Sequence, residues 1–168
     1  MRIPSFGYAL FAATLIGFGI WSLVTGELGA IWQPIPKFVP FKEALVYLCA
    51  AVALASGAGL LLKRTAAAAA RLLLGYLLIW FLLSKAPALI QSPLSVGPWE
   101  NAAESVGVIA AAWAIYARLA ETSDRHLLGI AVGENGIRIV RGLFGLTLIV
   151  FGVAHFAYLN LTAPLVPA

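Results

Sequence analysis

Residues 41–62 decide the class of this protein; they read FKEALVYLCAAVALASGAGLLL. After Lys42 and Glu43 this stretch carries no charged side chain until Lys63. A helix needs about 20 consecutive apolar residues to cross the hydrocarbon core of a bilayer. Because a helix also satisfies its own backbone hydrogen bonds, it is stable in lipid. The stretch therefore predicts a transmembrane helix.

The rest of the chain has the same character. Of its 168 residues, 62% are hydrophobic and 11% are charged, whereas about a quarter of the residues in a soluble domain are charged. The basic residues flank apolar runs and form no solvated basic helix, so we expect the lipid bilayer as a partner and no nucleic acid. Cys49, the single cysteine, excludes a CxxC pair and a cysteine zinc cluster, and it is expected to be a buried packing thiol.

Five apolar runs are separated by turn-forming residues. The predicted spans are residues 4–25, 41–62, 65–86, 101–119 and 141–161. The helices are expected to be interrupted between the third and fourth spans by Pro87, Pro93 and Pro98. Residues 133–136 are expected to form a turn before the fifth span. The sequence thus predicts an all-α membrane protein, a transmembrane four-helix bundle plus a fifth span.

The basic residues also predict an orientation, because Lys and Arg near membrane segments are retained on the cytoplasmic side. With the N-terminus inside, eight lie in the cytoplasm: Arg2, Lys63, Arg64, Arg71, Arg118, Arg125, Arg138 and Arg141. Three lie outside: Lys37, Lys42 and Lys85. Arg71 falls within the third span, near one end, where a long side chain reaches the interface at modest cost. We expect a multi-pass protein of the bacterial inner membrane with a cytoplasmic N-terminus.

An internal similarity relates the first and fifth spans. A shift of 133 residues aligns residues 10–23 with 143–156, and seven of the fourteen positions are identical. Since four spans separate the two copies, both begin on the same side of the membrane, as in a parallel repeat. We predict a four-helix unit over residues 1–132 and the first helix of a second, incomplete repeat over 133–168. Either the chain is truncated, or the fifth span docks against the bundle or another subunit.

Short motifs in the two copies carry a family resemblance. They are His155-Phe156, Thr162-Ala163 and Leu165-Val166-Pro167 in the second copy, with residues 32–36 and Val39-Pro40 as the counterpart in the first. These motifs resemble the DoxX-like family of small bacterial integral membrane proteins. In the family pattern Trp-Leu-Pro and another helix follow closely, whereas this sequence ends at Ala168. The resemblance implies four-helix units in the inner membrane, and some relatives look like membrane subunits of a thiosulfate:quinone oxidoreductase.

Ionisable side chains in a membrane span usually face a bundle interior or a cavity. The residues predicted to line an outward-facing pocket for a quinone headgroup or a small anion are His155, Glu43, Glu104, Gln33, Trp21, Trp99 and Glu100. Structural roles are the alternative for each. The histidine can bond a neighbouring helix, the carboxylates can favour helix amino ends, and the tryptophans can form an interfacial belt.

The functional hypotheses follow from these patterns. No HExxH, GxSxG or paired-histidine metal spacing occurs in the sequence, so we expect no self-contained catalytic motif and no cofactor within the chain, with quinone as the ligand that the resemblance suggests. The leading hypothesis is an accessory membrane subunit of a quinone-linked redox system that works with a redox partner subunit or as a homo-oligomer. A small-solute or ion transporter is the first alternative, and a membrane scaffold or assembly factor is the second.

Overall fold

A computed structural model describes residues 6–29, 41–120, 124 and 129–158. In these ranges the regular structure is helical, and five helices are long and apolar enough to cross a membrane. They are α1 (Phe6–Thr25), α2 (Lys42–Leu61), α3 (Ala66–Gln91), α4 (Val96–Leu119) and α5 (Gly133–Ala157). The predicted class, an all-α multi-pass membrane protein, is confirmed. Gln33 and the motif residues 162–167 lie outside the described ranges.

The helices pack in antiparallel pairs along the chain order, α1 on α2, α2 on α3, α3 on α4 and α4 on α5. Gly19 approaches Leu54 whereas Gly57 approaches Ile16, so α1 and α2 run in opposite directions. As a result, the carboxyl ends of α1, α3 and α5 meet the amino ends of α2 and α4. We call this the Lys85 end of the molecule and the opposite one the Arg71 end.

Glycine lets α1 and α2 approach closely. A Cβ atom at Gly57 would lie 2.8 Å from the carbonyl oxygen of Ala12, and one at Gly19 would lie 3.0 Å from that of Ala50. Small residues that let two backbones meet are a main source of helix association in lipid. Gly19 and Gly57 are therefore the close-packing positions of this helix pair.

Other glycines of the membrane-spanning helices do not pack against a neighbouring helix in this way. A Cβ atom added at Gly17 or Gly152 would meet nothing within 4 Å. Both residues are exposed on the surfaces of their helices.

The core is formed mainly by small and aliphatic side chains of the first four helices, among them Leu15, Val46 and Leu73. The predicted burial of Cys49 is confirmed, since the side chain is fully buried. The hydroxyl of Tyr76 on α3 donates a hydrogen bond to its Sγ atom at 2.8 Å. This bond links α2 to α3 in the middle of the membrane-spanning region.

The prediction that Pro87 ends the third span is wrong, because α3 continues to Gln91. Phe81–Lys85 forms one π-helical turn, in which the N–H of Ala86 donates to the carbonyl of Phe81, five residues earlier. Proline has no N–H and would leave a carbonyl of the preceding turn without a donor. A π turn changes the register of the hydrogen bonds just before Pro87, so the helix can continue past it.

The boundaries of the last two spans also differ from the prediction. Helix α4 begins at Val96, before Pro98, which therefore lies in the first turn, where a missing N–H costs little. Helix α5 begins at Gly133, so residues 133–136 form its first turn instead of a separate loop. Gly133 has a φ of +64°, and a Cβ atom at Gly136 would collide with the carbonyl of Ala131. Glycine at both positions allows the helix to start here.

Candidate functional site

The antiparallel order brings six of the seven predicted site residues toward the Lys85 end: Trp21 on α1, Glu43 on α2, Trp99, Glu100 and Glu104 on α4, and His155 on α5. Four helices thus contribute to one end of the molecule. The seventh residue, Gln33, lies outside the described residues.

However, several of the predicted side chains at this end are exposed on the surface of the molecule, among them Trp21, Glu43 and His155. The Nδ1 atom of His155 lies 2.8 Å from the carbonyl oxygen of Phe151, one turn earlier on the same helix. Glu43 occupies the first turn of α2, as expected for a carboxylate near a helix amino end.

The carboxylates of α4 lie deeper than predicted. Because α4 begins at Val96, Glu100 falls in its second turn and Glu104 in its third, so neither belongs to the first turn. The interpretation of these two residues as first-turn cap chemistry is therefore wrong. Glu104 remains exposed at this depth, while Glu100 is half-buried.

The side chain that the prediction missed is Lys85. It was counted among the outer basic residues, at the last turn of the predicted third span, but it lies in the π turn of α3 and is only 3% exposed. A carboxylate on the neighbouring helix, Glu104, is close enough to act on its charge. Removing a cation from water is costly unless polar groups surround it, so a buried lysine at this position marks a site.

The signal for Lys85 was present in the sequence but was outweighed by the proline. Apolar residues surround it on both sides, and the apolar run continues past Pro87 to Ile90. Had the predicted helix been extended through that run, the lysine would have been placed well inside a span instead of at its outer end. Single π turns inside α-helices are also frequently found at functional sites.

Aromatic side chains lie on the same helix, one to two turns before Lys85. The rings of Tyr76 and Trp80 have centroids 6.2 Å apart and planes tilted by 35°. Ser84 donates a hydrogen bond to the carbonyl of Trp80 at 2.7 Å, which supplies a donor where the π turn rearranges the backbone. Lys85 therefore comes after two half-buried aromatic side chains on the same helix.

An apolar cavity of about 170 Å³ opens at the Lys85 end between α4 and α5. It is lined by Leu94, Ser95, Val96, Trp99, Ile149, Val150 and Val153. The indole N–H of Trp99 donates to the carbonyl of Pro93 at 2.8 Å and holds the ring in this wall. Trp99 is thus the predicted site residue that the structure places in a cavity.

The Arg71 end contains an ion pair between α3 and the segment after α4. An Nη atom of Arg71 lies 2.8 Å from a carboxylate oxygen of Asp124; the side chains are 52% and 8% exposed. The buried Tyr116 on α4 interacts with both groups through its hydroxyl. Arg71 is therefore half-exposed and pairs with Asp124, while the prediction that it reaches the membrane interface stays a prediction.

Among the residues that the structure describes, no group of three or more His, Cys, Asp or Glu side chains is placed to hold a metal ion. The Lys85 end instead contains a buried lysine, on whose charge Glu104 acts, and a separate apolar cavity walled by Trp99 and residues of α5. This arrangement suits a ligand with hydrogen-bond acceptors and an apolar body.

The fold and this site define a multi-pass α-helical membrane protein with a cation buried at one end of its helices. No family model matches the chain, and neither a curated protein nor a solved structure does so. The DoxX-like resemblance therefore rests on the sequence motifs.

Proposed function

We propose that this protein is a DoxX-like accessory membrane subunit of a quinone-linked redox system, and that its Lys85 end binds the quinone headgroup. The observation that carries the proposal is the burial of Lys85 in the π turn of α3, where Glu104 acts on its charge. The excess of basic residues at the Arg71 end supports an orientation in which the Lys85 end lies on the outer side of a bacterial inner membrane and the N-terminus lies in the cytoplasm.

The chemistry of lysine fits this ligand. An ammonium group has three N–H donors and no acceptor, and a quinone headgroup presents two carbonyl oxygens that accept hydrogen bonds. Electrostatic interactions are stronger in a site from which water is largely excluded. Reduction places negative charge on the quinone oxygens, so a fixed cation stabilises the reduced form more than the oxidised form.

The redox reaction needs a partner. Reduction of a quinone to a quinol takes up two electrons and two protons, and this chain has one cysteine and no haem or flavin motif to deliver the electrons. In the proposal they come from a partner subunit that carries a metal or flavin cofactor. Glu104, which is exposed on α4, exchanges protons with water and returns them to the site.

Quinone binding to the purified chain tests the proposal. The protein in lipid nanodiscs is titrated with a short-chain ubiquinone analogue, and binding is followed by quenching of tryptophan fluorescence. Lys85→Met keeps the length of the side chain and removes its charge, and Lys63→Met removes an exposed charge beyond α2 as the matched control. We expect Lys85→Met to weaken binding by about tenfold or more, the ratio that one charged hydrogen bond of about 1.5 kcal/mol provides.

The control variant, Lys63→Met, should bind the quinone analogue with the same affinity as the unchanged protein. Removing one member of a charge pair costs stability when its partner is left buried, so a thermal unfolding curve is needed to separate loss of binding from loss of fold. Equal affinities for the two variants would rule out Lys85 as the headgroup ligand.

The partner is tested separately by purifying the native complex in mild detergent. If no redox protein copurifies and deletion leaves quinone-linked oxidation unchanged, the assignment to a redox system fails. Proteoliposome uptake of small anions that depends on Lys85, without quinone binding, would instead favour the transporter.

A further inference from the structure

The two ends of the molecule carry opposite charges. Among the described residues, the Arg71 end has six basic side chains and two acidic ones: Lys63, Arg64, Arg71, Arg118, Arg138 and Arg141, with Asp124 and Glu134. The Lys85 end has two basic and four acidic side chains: Lys42 and Lys85, with Glu27, Glu43, Glu100 and Glu104. A surface with an excess of one charge attracts ligands of the opposite sign, so an anion is expected at the Arg71 end.

The carboxylates at the Arg71 end leave most of its cations unneutralised. In the part of the chain that the structure describes, Asp124 pairs with Arg71. Glu134 is exposed in the first turn of α5 and forms no ion pair with another described residue. The remaining basic side chains are all exposed and are Lys63, Arg64, Arg118, Arg138 and Arg141. These cations are available to a ligand.

The contact between α4 and α5 shows where two of them lie. Ala117 on α4 faces Gly136 on α5, where an added Cβ would lie 3.1 Å from that of Ala117. Val140, one turn after Gly136, is buried on the same face of α5. Arg118 directly follows Ala117, and Arg141 directly follows Val140. Both arginines are thus turned about 100° away from the surface that joins the two helices.

The two arginines lie on the same side of this helix pair. Both helices are right-handed but run in opposite directions, so the residue that follows a contact residue turns to the same side on each helix. Tyr116 precedes Ala117 and interacts with Arg71 of α3. The side that Arg118 and Arg141 share is therefore the one that faces away from α3.

Their side chains also converge in depth. Since Ala117 and Gly136 are level, the Cα atoms of Arg118 and Arg141 lie about 9 Å apart along the helix axes, at a rise of about 1.5 Å per residue. The Cα–Cβ bonds of a helix tilt toward its amino end. Arg141 therefore leans toward the Arg71 end and Arg118 leans away from it, so the two long side chains approach the same depth.

An exposed apolar surface continues from Arg141 toward the middle of the membrane-spanning region. Phe144 and Leu148 follow Arg141 at spacings of three and seven residues, which places all three on one face of α5. The side chain of Phe144 is 48% exposed and that of Leu148 is 55% exposed. A ligand at this surface meets cations at one end and apolar side chains next to them, which suits an amphiphile better than a free anion.

We propose that Arg118 and Arg141 bind the phosphate of an anionic phospholipid whose acyl chains lie along Phe144 and Leu148. Guanidinium groups present planar N–H donors that match phosphate oxygens, and such charge-assisted bonds are stronger than neutral ones. The excess of positive charge at this end favours a headgroup with a net negative charge over a zwitterionic one. The proposal concerns the Arg71 end and does not depend on quinone binding at the Lys85 end.

Lipid titration of the purified full chain tests the proposal. The protein in uncharged detergent micelles is titrated with dioctanoyl phosphatidylglycerol, and native mass spectrometry measures the fraction of protein with one lipid bound. The test variant carries Arg118→Gln and Arg141→Gln. We expect it to bind the lipid about tenfold more weakly than the unchanged protein, the ratio that about 1.4 kcal/mol of binding free energy produces.

The matched control carries Lys63→Gln and Arg64→Gln, which removes the same charge from the same end of the molecule. These two cations lie in the turn between α2 and α3, away from the side that Arg118 and Arg141 share. Salt at 0.1 M screens exposed charges that are more than about 10 Å from the ligand, so the control should lose less than about threefold in affinity.

Three further titrations identify the chemistry that is recognised. Dioctanoyl phosphatidylcholine has the same acyl chains without the net charge, and glycerol phosphate has the charged group without the chains. Both should bind at least about tenfold more weakly than the anionic lipid. A variant with Arg118→Lys and Arg141→Lys keeps the charge but loses the planar donors, so its affinity for the anionic lipid should be intermediate.

Equal losses in the test variant and the control would overturn the proposal, since the lipid would then respond to the overall charge and not to Arg118 and Arg141. Equal affinity for phosphatidylcholine, or for glycerol phosphate, would also overturn it. So would an acidic protein that copurifies through the two arginines while the test variant binds lipid normally, because a protein would then be the occupant. Unfolding curves of both double variants, measured without lipid, confirm that folded proteins are compared.

Discussion

Helices α1 and α5 carry similar sequences but bury opposite residues. In α1, Leu15 is buried and Thr14 is exposed; in α5, the aligned Leu148 is exposed and Thr147 is buried. Each threonine hydroxyl donates to a carbonyl of its own helix, so neither needs a neighbouring helix to satisfy it. The comparison teaches that, in this protein, the sequence of a membrane helix does not by itself select the face that packs.

The neighbouring helices decide which face of α1 or α5 is packed. Helix α2 presents Gly57 to α1 and allows the backbones to meet, whereas α4 presents Ala117 to Gly136 at the start of α5. Lipid tails are as apolar as leucine, so hydrophobicity alone gives no preference for either face. Close packing between particular residues decides which face is covered.

The largest effect is expected from exchanging residues between the aligned positions at the Lys85 end. Ser22 is fully buried and accepts a hydrogen bond from the N–H of Gly29 at 3.3 Å. Ser22→His would force a larger polar ring into the α1 interface, and we expect a loss of roughly 3 kcal/mol of unfolding free energy. His155→Ser changes an exposed position and should stay within about 0.5 kcal/mol.

Reversible unfolding in mixed detergent micelles, followed by circular dichroism, measures both variants of this exchange. Similar losses for the two substitutions would contradict the view that α1 and α5 are covered differently.

An intermediate effect is expected at the α2 side of the interface. Gly57→Ala would place a Cβ atom 2.7 Å from Cγ1 of Ile16 and 2.8 Å from the backbone of Ala12, so the helices must separate at a cost of about 1–3 kcal/mol. Gly75→Ala, in open space on α3, should be neutral or stabilise by up to about 1 kcal/mol. The same unfolding assay compares them; a harmless Gly57→Ala would mean that α1 and α2 lie farther apart than described.

The smallest effect separates the two aligned glycines. In Gly19→Ala the nearest obstacle is the side chain of Leu54, which can move, so we expect a loss of about 1 kcal/mol. Gly152→Ala meets no obstacle and should gain about 0.5–1 kcal/mol from the better helix propensity of alanine. The quantity to measure is the change in unfolding free energy that each substitution causes. Changes of the same sign and size would contradict the view that α1 and α5 are covered differently at these glycines.

The candidate site could be predicted in part. The sequence placed Trp99 and Glu104 toward the correct end of the molecule, because alternating spans bring alternate connections to the same side. It placed Lys85 at the outer end of the third span and not in the interior of the helix packing, since Pro87 was interpreted as the end of the helix. The π turn that lets α3 continue depends on hydrogen bonds that apolar patterning does not record.

Arg71 illustrates the same limit at the other end. Its position near a helix end predicts that the side chain reaches the membrane interface, and the structure shows a half-exposed side chain paired with Asp124. Its partner, Asp124, lies in a different segment far along the chain, and no local pattern connects the two residues. Such a pairing follows only from the packing of α3 against α4.

The sequence by itself determined that this protein crosses a membrane and that five helices are available to do so, because the length and apolarity of a span are local properties. The tertiary structure decided which glycines are in contact, which face of α5 stays open, and how Lys85 comes to be buried beside α4. The physical reason is that lipid and protein interiors are similarly apolar. Only the positions of neighbouring helices distinguish a residue that faces lipid from one that faces protein.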